Sequence, residues 1–120
     1  MPTQMSSHIQ IPEDYLNFVS TAKRLEIPNL VFHSIPLESV AEYANHSERI
    51  PPNFPRPEDH FVIADYLIDL PVVAADFSTN SPNYGRVLSY SYGDYWIVAN
   101  SLSEFLKRLQ VEGESAVWGK

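Results

Sequence analysis

The first half of the chain contains two stretches whose apolar residues recur at helical spacing. The first stretch begins near Pro12, a residue suited to a first helical turn, and its apolar face consists of Tyr15, Leu16, Val19 and Ala22. The second is opened by Pro36, and its apolar positions, spaced i, i+3, i+4 and i+7, are Leu37, Val40, Ala41 and Ala44. Between the two, the short apolar run at residues 29–32 predicts a brief strand.

A proline-rich segment, residues 50–60, divides the chain into a helix-rich front half and a strand-rich back half. It holds four of the ten prolines. Proline removes a backbone donor and restricts the residue before it, so this segment is predicted to be an extended connector. Each flanking half has only about 50 residues, too few to form a stable core alone. We therefore predict a single domain over residues 1–120, with its core in residues 11–110.

The back half alternates between apolar and polar residues in the manner of strands. Residues 60–70 predict a strand with Asp65 and Asp69 on one face, and the other face carries Val62, Ala64, Tyr66, Ile68 and Leu70. A second strand is predicted over residues 72–77. Residues 86–99 predict a hairpin around Gly93-Asp94. This turn places Trp96 on one face, and the opposite face carries Leu88, Tyr90, Tyr92, Tyr95, Ile97 and Ala99.

A capped helix follows the hairpin. Ser101 and Glu104 form an S-x-x-E capping box, and the apolar residues behind it are Leu102, Phe105, Leu106 and Leu109. Gly113 is expected to end the ordered part, which makes residues 111–120 a tail. The predicted fold class is α+β, with a twisted mixed or antiparallel sheet and flanking helices.

Composition narrows the possible functions. The net charge is −7 and there is no cysteine. Phosphate backbones are bound by concentrated positive charge, so we do not expect a nucleic-acid partner. An acidic chain instead favours a basic protein partner. The absence of cysteine excludes disulfides and thiolate metal sites. No stretch resembles a signal peptide or is apolar enough to span a membrane, so we expect a cytoplasmic protein. We expect it to be either a monomer or a weak dimer.

The sequence contains no recognisable motif for catalysis or for binding a metal or cofactor. The four histidines are widely spaced, without an HxH or HxxxH pair. The nucleophile elbow GxSxG and the glycine-rich phosphate loops are also missing. We expect no catalytic residue, metal or cofactor. Because serine, histidine and aspartate are all present, a small hydrolase stays an alternative.

Two features point to protein binding instead. Asp65 and Asp69 share a predicted strand face, and Glu58 and Asp59 directly precede that strand. Together they predict an acidic surface for a basic partner, or a face that is merely solvated. Trp96, opposite the predicted tyrosine-rich core face, is a candidate interface anchor.

The order of motifs in the chain resembles the SUKH superfamily, also called the cell-wall-assembly-regulator or immunity-protein family. The matching segments are the opening helix IPEDYLNF at 11–18, ADYL at 64–67, VVA at 72–74 and IVANSLSEFL at 97–106. The resemblance covers about residues 11–110. It implies an α+β fold and a non-enzymatic binding protein.

Many bacterial members of that family resemble immunity proteins that neutralise toxins, and fungal members look like regulatory interaction modules. Our leading hypothesis is therefore a protein-binding domain that blocks a toxin, with a nuclease as one candidate class of toxin. A regulatory scaffold that binds cellular proteins is the first alternative, and the small hydrolase is the second.

Overall fold

The computed structural model describes residues 8–43, 50–66, 71–91 and 93–118. The elements, in chain order, are α1 (Tyr15–Arg24), β1 (Leu30–Phe32), α2 (Val40–Tyr43), β2 (His60–Tyr66), β3 (Val72–Asp76), β4 (Val87–Tyr90), β5 (Tyr95–Ala99), α3 (Leu102–Glu112) and a 3₁₀ helix (Gly113–Trp118). Within the described ranges, no helix has the length and apolar character needed to cross a membrane.

The five strands form one antiparallel sheet in the order β1-β2-β3-β4-β5. Each strand pairs with the next one along the chain, so the sheet is a simple meander. This confirms the predicted single-domain α+β fold. Consecutive antiparallel strands need only short connections, whereas a parallel pair needs a long crossover.

Both faces of the sheet are covered. The larger core lies between one face and α1, α3 and the 3₁₀ helix; its largest members include Tyr15, Phe18, Phe61, Phe77 and Phe105. The smaller core lies on the other face, under α2 and the proline-rich segment; it consists of Val40, Phe54, Val62, Val72, Ala74, Leu88 and Tyr90. Because each face meets a packed layer, β2, β3 and β4 are buried on both sides.

A β-bulge in β2 overturns the predicted alternation of that strand. The register shifts between Val62 and Ala64, so Val62 packs in the smaller core and Ala64 in the larger one. Asp65 pairs with Val72 and therefore lies on the same face as Val62. The prediction that Asp65 faces away from Val62 is wrong, because an extra residue in one strand exchanges the faces of all residues beyond it.

The two front helices differ from their predictions in extent and face. In α1 the buried residues are Tyr15, Phe18, Val19 and Ala22, while Leu16 is 59% exposed. The second helix begins at Val40 and not at Pro36. It begins there because Ser39 and Glu42 form a capping box, in which each side chain accepts the other residue's backbone N–H. Ala44 lies outside the described residues.

The β4–β5 hairpin is confirmed, with a register two residues away from the prediction. In the structure Tyr90 pairs with Tyr95, whereas the predicted two-residue turn at Gly93-Asp94 implied that Tyr92 pairs with Tyr95. Tyr92 itself lies outside the described residues. A second bulge, at Val87/Leu88, moves Ala99 onto the larger core.

The predicted tail is wrong for residues 113–118. The Ser101–Glu104 cap and the end of α3 at Gly113 are as predicted. The chain then continues as the 3₁₀ helix, in which Ala116 and Val117 are fully buried. Its three apolar residues are too few to show a helical period, and this is why the sequence pattern did not reveal the contact.

Candidate protein-interaction surface

Three aromatic rings from distant parts of the chain meet on the larger-core face of the sheet. We call Tyr66, Trp96 and Trp118 the aromatic patch. The rings of Trp96 and Trp118 stack with centroids 5.8 Å apart and planes 9° apart, and Tyr66 meets Trp118 edge-on at 6.4 Å. Tyr66 comes from β2, Trp96 from β5 and Trp118 from the end of the 3₁₀ helix, so Trp118 bridges the sheet from one strand to the other.

Hydrogen bonds hold the 3₁₀ helix in place beneath the patch. The backbone carbonyl of Val117 accepts the indole N–H of Trp96 at 3.0 Å and the buried hydroxyl of Ser89 at 2.6 Å. Ser89 and Trp96 are paired neighbours on β4 and β5. Buried polar groups need hydrogen-bond partners, so these two bonds hold Val117 against β4 and β5.

A carboxylate lies beside the rings. Glu114 accepts the Tyr66 hydroxyl at 2.9 Å and the Asn29 side-chain amide at 3.2 Å. The bond to the Glu114 carboxylate raises the pKa of Tyr66, because the carboxylate stabilises the protonated phenol. The patch thus combines fixed aromatic faces with a negative charge.

The structure places Trp96, the interface anchor predicted from the sequence, within the aromatic patch. Trp96 is half-buried and packs against the larger core, so the 3₁₀ helix covers much of its ring. Trp118 is the exposed member, at 44%. Sequence reasoning missed it because it lies in the supposed tail, and its only signal was its aromatic identity close to Ala116 and Val117.

The structure places two residues of the predicted acidic surface far apart along β2. Asp59 directly precedes that strand, whereas Asp65 is its last residue but one. The two carboxylates therefore lie at opposite ends of β2 and take part in separate networks. Glu58 is exposed, and Asp69 lies outside the described residues.

Asp65 is held in a local network. His33 Nε2 lies 2.7 Å from one carboxylate oxygen, and the Tyr43 hydroxyl lies 2.7 Å from both. The Asp65 side chain is 25% exposed. These bonds join β1, α2 and β2. The hydroxyl of Ser34, next to His33 in sequence, accepts Lys23 Nζ at 3.1 Å.

Asp59 belongs to a second network at the other end of β2. It lies 3.0 Å from His8 Nε2 and 3.9 Å from the Arg56 guanidinium. Arg56 also contacts the buried Asp76 at 3.3 Å. His60 is fully buried, and its Nδ1 donates to the Arg56 carbonyl at 3.1 Å. Burial lowers the pKa of His60, because the charged imidazolium loses its hydration.

These networks join the segments that flank the sheet. His8, His33 and His60 each contact different partners, and in the described part of the chain no three histidine, aspartate or glutamate side chains cluster as metal ligands do. His46 lies outside the described residues. These networks therefore have a structural role: the His8–Asp59 contact attaches the segment at His8 to the start of β2, and the Arg56–Asp76 contact attaches the proline-rich segment to β3.

Comparisons of the chain with protein-family models, with curated proteins and with solved structures return no match. The resemblance to the SUKH superfamily therefore rests on the sequence motifs alone. Function has to be inferred from those motifs, from the charge of the chain and from the geometry of the aromatic patch.

Proposed function

We propose that the chain is a non-enzymatic, cytoplasmic protein-binding domain, an immunity protein that neutralises a toxin domain by direct contact through the aromatic patch. The observation that carries this proposal is the half-exposed Trp118 ring, stacked on Trp96 and fixed through the Val117 carbonyl. Tryptophan and tyrosine dominate the residues that contribute most to protein–protein binding. The motif resemblance supplies the toxin-neutralising role.

Pre-organisation supports a binding role for the patch. A side chain that is free in solution loses rotamer entropy when a partner fixes it. Trp118 is already held between Trp96 and Tyr66, so a partner that covers it pays less of this cost. A rigid aromatic surface of this kind suits tight association.

The charge of the chain favours a basic partner. The net charge of −7 attracts cationic surfaces over long range, and Glu114 places a carboxylate beside the exposed ring. An arginine or lysine of the partner can lie over the face of Trp118, which attracts cations through its ring quadrupole. The regulatory scaffold remains the alternative, because the same surface serves a cellular partner.

A growth-protection experiment tests the proposal. The product of the adjacent gene is first expressed alone to establish that it is toxic, and it is then produced in cells with the wild-type protein, with Trp118→Ala or with Leu16→Ala. An adjacent product without toxicity contradicts the toxin-neutralising role. Leu16 is the matched control, since it is an exposed apolar residue on α1 that takes no part in the ring contacts of the patch. We expect the wild-type protein and Leu16→Ala to protect, and Trp118→Ala to bind the purified toxin domain at least about tenfold more weakly. Equal protection by both variants contradicts the role of the patch, and binding without protection favours the scaffold.

A further inference from the structure

The outer edge of β5 exposes backbone groups that the sheet does not use. At the hairpin, the Ser91 N–H donates to the Asp94 carbonyl at 2.9 Å. Hydrogen-bonded and non-bonded pairs alternate along antiparallel strands, so Ser89 and Trp96 form the next bonded pair. The backbone groups of Tyr95 and Ile97 consequently point away from β4, toward the free edge.

Side chains close this edge at both ends and leave its middle open. The Asp94 carboxylate accepts the Tyr95 N–H at 2.8 Å, and the Arg108 guanidinium donates to the Val98 carbonyl at 2.7 Å. The Tyr95 carbonyl and both backbone groups of Ile97 have no partner among the described residues. The Ile97 side chain beside them is 49% exposed.

We propose that β5 receives an extended segment of the partner protein as a sixth strand, paired along Tyr95–Ile97, in which basic residues alternate with apolar ones. The inference rests on the proposed binding function and names the partner's binding mode. Strand addition supplies hydrogen bonds from the backbone, while alternate side chains supply specificity. Partner residues opposite Trp96 point to the face with Trp118, and those opposite Tyr95 and Ile97 point to the other face.

The charges around this edge favour a basic strand. On α3, Glu104, Arg108 and Glu112 follow one another at four-residue spacing, and Glu112 holds the Arg108 guanidinium at 3.0 Å. Asp94 stands at the other end of the open edge, so three of these four side chains are acidic and one is basic. Basic side chains that alternate along the added strand meet these carboxylates and the face of Trp118.

A second copy of the chain fits the edge less well. The strand it would contribute, YWIVA, contains no basic residue, and each copy carries a net charge of −7. The other sheet edge, β1, is three residues long and borders a groove of about 280 Å³ that is lined by both Lys23 and Glu26. These opposite charges offset each other, so this edge attracts a basic strand less than the edge of β5 does, and the two edges are distinguishable.

The probe is a short blocked peptide of alternating lysine and valine, added to ¹⁵N-labelled protein. We expect chemical-shift changes at the amides of residues 94–98 and at the Trp118 indole. We also expect hydrogen exchange of the Ile97 N–H to slow by about tenfold or more at saturation, because the bond shields it. Shift changes confined to Leu30–Phe32, or equal affinity for a block peptide of the same composition, overturn the proposal.

Two further measurements isolate the backbone contribution. Ile97→Pro removes the outward N–H from an edge position that tolerates proline, and Ile97→Thr keeps that N–H with a β-branched side chain. We expect binding about tenfold weaker for the first and within about threefold of wild type for the second, since one hydrogen bond is lost. If Ile97→Pro does not fold, a peptide N-methylated at alternate residues removes the peptide's own donors, and unchanged affinity for it overturns the proposal.

The outcomes separate strand addition from the proposed function. If Trp118→Ala abolishes toxin binding while Ile97→Pro leaves it unchanged, the patch binds the partner and strand addition is wrong. If neither substitution changes toxin binding, the proposed function fails at this surface. Sedimentation of the free protein tests for a dimer. If the wild type dimerises and Ile97→Pro abolishes the dimer, the edge binds a second copy of the chain, and this also overturns the proposal.

Discussion

Trp96 and Trp118, 22 positions apart in sequence, stack in parallel, and the carbonyl of the residue before Trp118 accepts the Trp96 indole N–H. This pair attaches the 3₁₀ helix to the sheet. The segment thus completes the larger core, and it also presents the exposed ring of the aromatic patch. Stability and binding are expected to depend on the same six residues.

Substitution inside the 3₁₀ helix tests this attachment. We expect Val117→Asp to lower the free energy of unfolding by more than about 3 kcal/mol, because it buries an unpaired carboxylate in the core. The matched control is Ser115→Asp, an exposed position in the same helix, with an expected change within about 0.5 kcal/mol. Urea denaturation followed by circular dichroism measures both. Equal small effects mean that residues 113–118 do not pack in solution.

The contribution of α3 can be separated by burial. Phe105 is fully buried and stacks on Phe18 with ring centroids 6.0 Å apart. Phe105→Ala is expected to cost about 3–5 kcal/mol, and the half-buried Leu106→Ala less than that. Val111, which is 84% exposed on the same helix, serves as the control, and its alanine variant is expected to stay within about 0.5 kcal/mol. We expect calorimetry to show one unfolding transition for the wild type and for each of the three variants. A second transition contradicts a core that is shared by the whole domain.

Asp65 and Glu58, two residues of the predicted acidic surface, are expected to contribute differently to stability. Asp65→Asn removes a charge that His33 and Tyr43 contact, so we expect a loss of about 1–3 kcal/mol. Glu58→Gln, at an exposed position, is expected to change stability by less than about 0.5 kcal/mol. A double-mutant cycle with Tyr43→Phe measures the coupling to Asp65. Additive effects within about 0.3 kcal/mol show that this hydrogen bond contributes nothing.

His60 is expected to make stability depend on pH. Burial lowers its pKa from the ordinary 6.5, so below pH 6.5 the unfolded chain binds a proton that the folded protein does not. Stability is therefore fully present above pH 6.5 and is lost as the pH falls below it, by at most about 1.4 kcal/mol per pH unit from this group. The hydrogen bond to the Arg56 carbonyl and the charge of Asp76 oppose this lowering of the pKa, while the charges of Arg56 and Arg86 add to it.

The measurement compares urea midpoints at pH 7.5 and pH 5.5 for wild type and His60→Phe. The variant keeps an aromatic ring against Phe54, which His60 meets edge-on at 5.2 Å. We expect the wild type to lose more stability than the variant when the pH is lowered from 7.5 to 5.5. An identical pH dependence for the two proteins shows that His60 does not contribute.

Local sequence determined the elements whose signals need no distant partner. The Ser101–Glu104 cap and the apolar stripe of α3 fixed that helix, because capping and periodicity act within a few residues. The meander followed from short strands joined by short turns, and the excess of acidic over basic residues together with the absence of cysteine limited the possible chemistry. Trp96 was recognised as a binding candidate from its residue type and its strand face.

Tertiary structure alone decided which residues share a face and which are covered. The bulge at Val62/Ala64 exchanged the sides of β2, and this placed Asp65 on the same face as Val62. The burial of Val117 and the exposure of Trp118 arose because the chain after α3 turns back onto β5. These features depend on contacts between residues far apart in sequence, and a local pattern of apolar and polar residues carries no record of them.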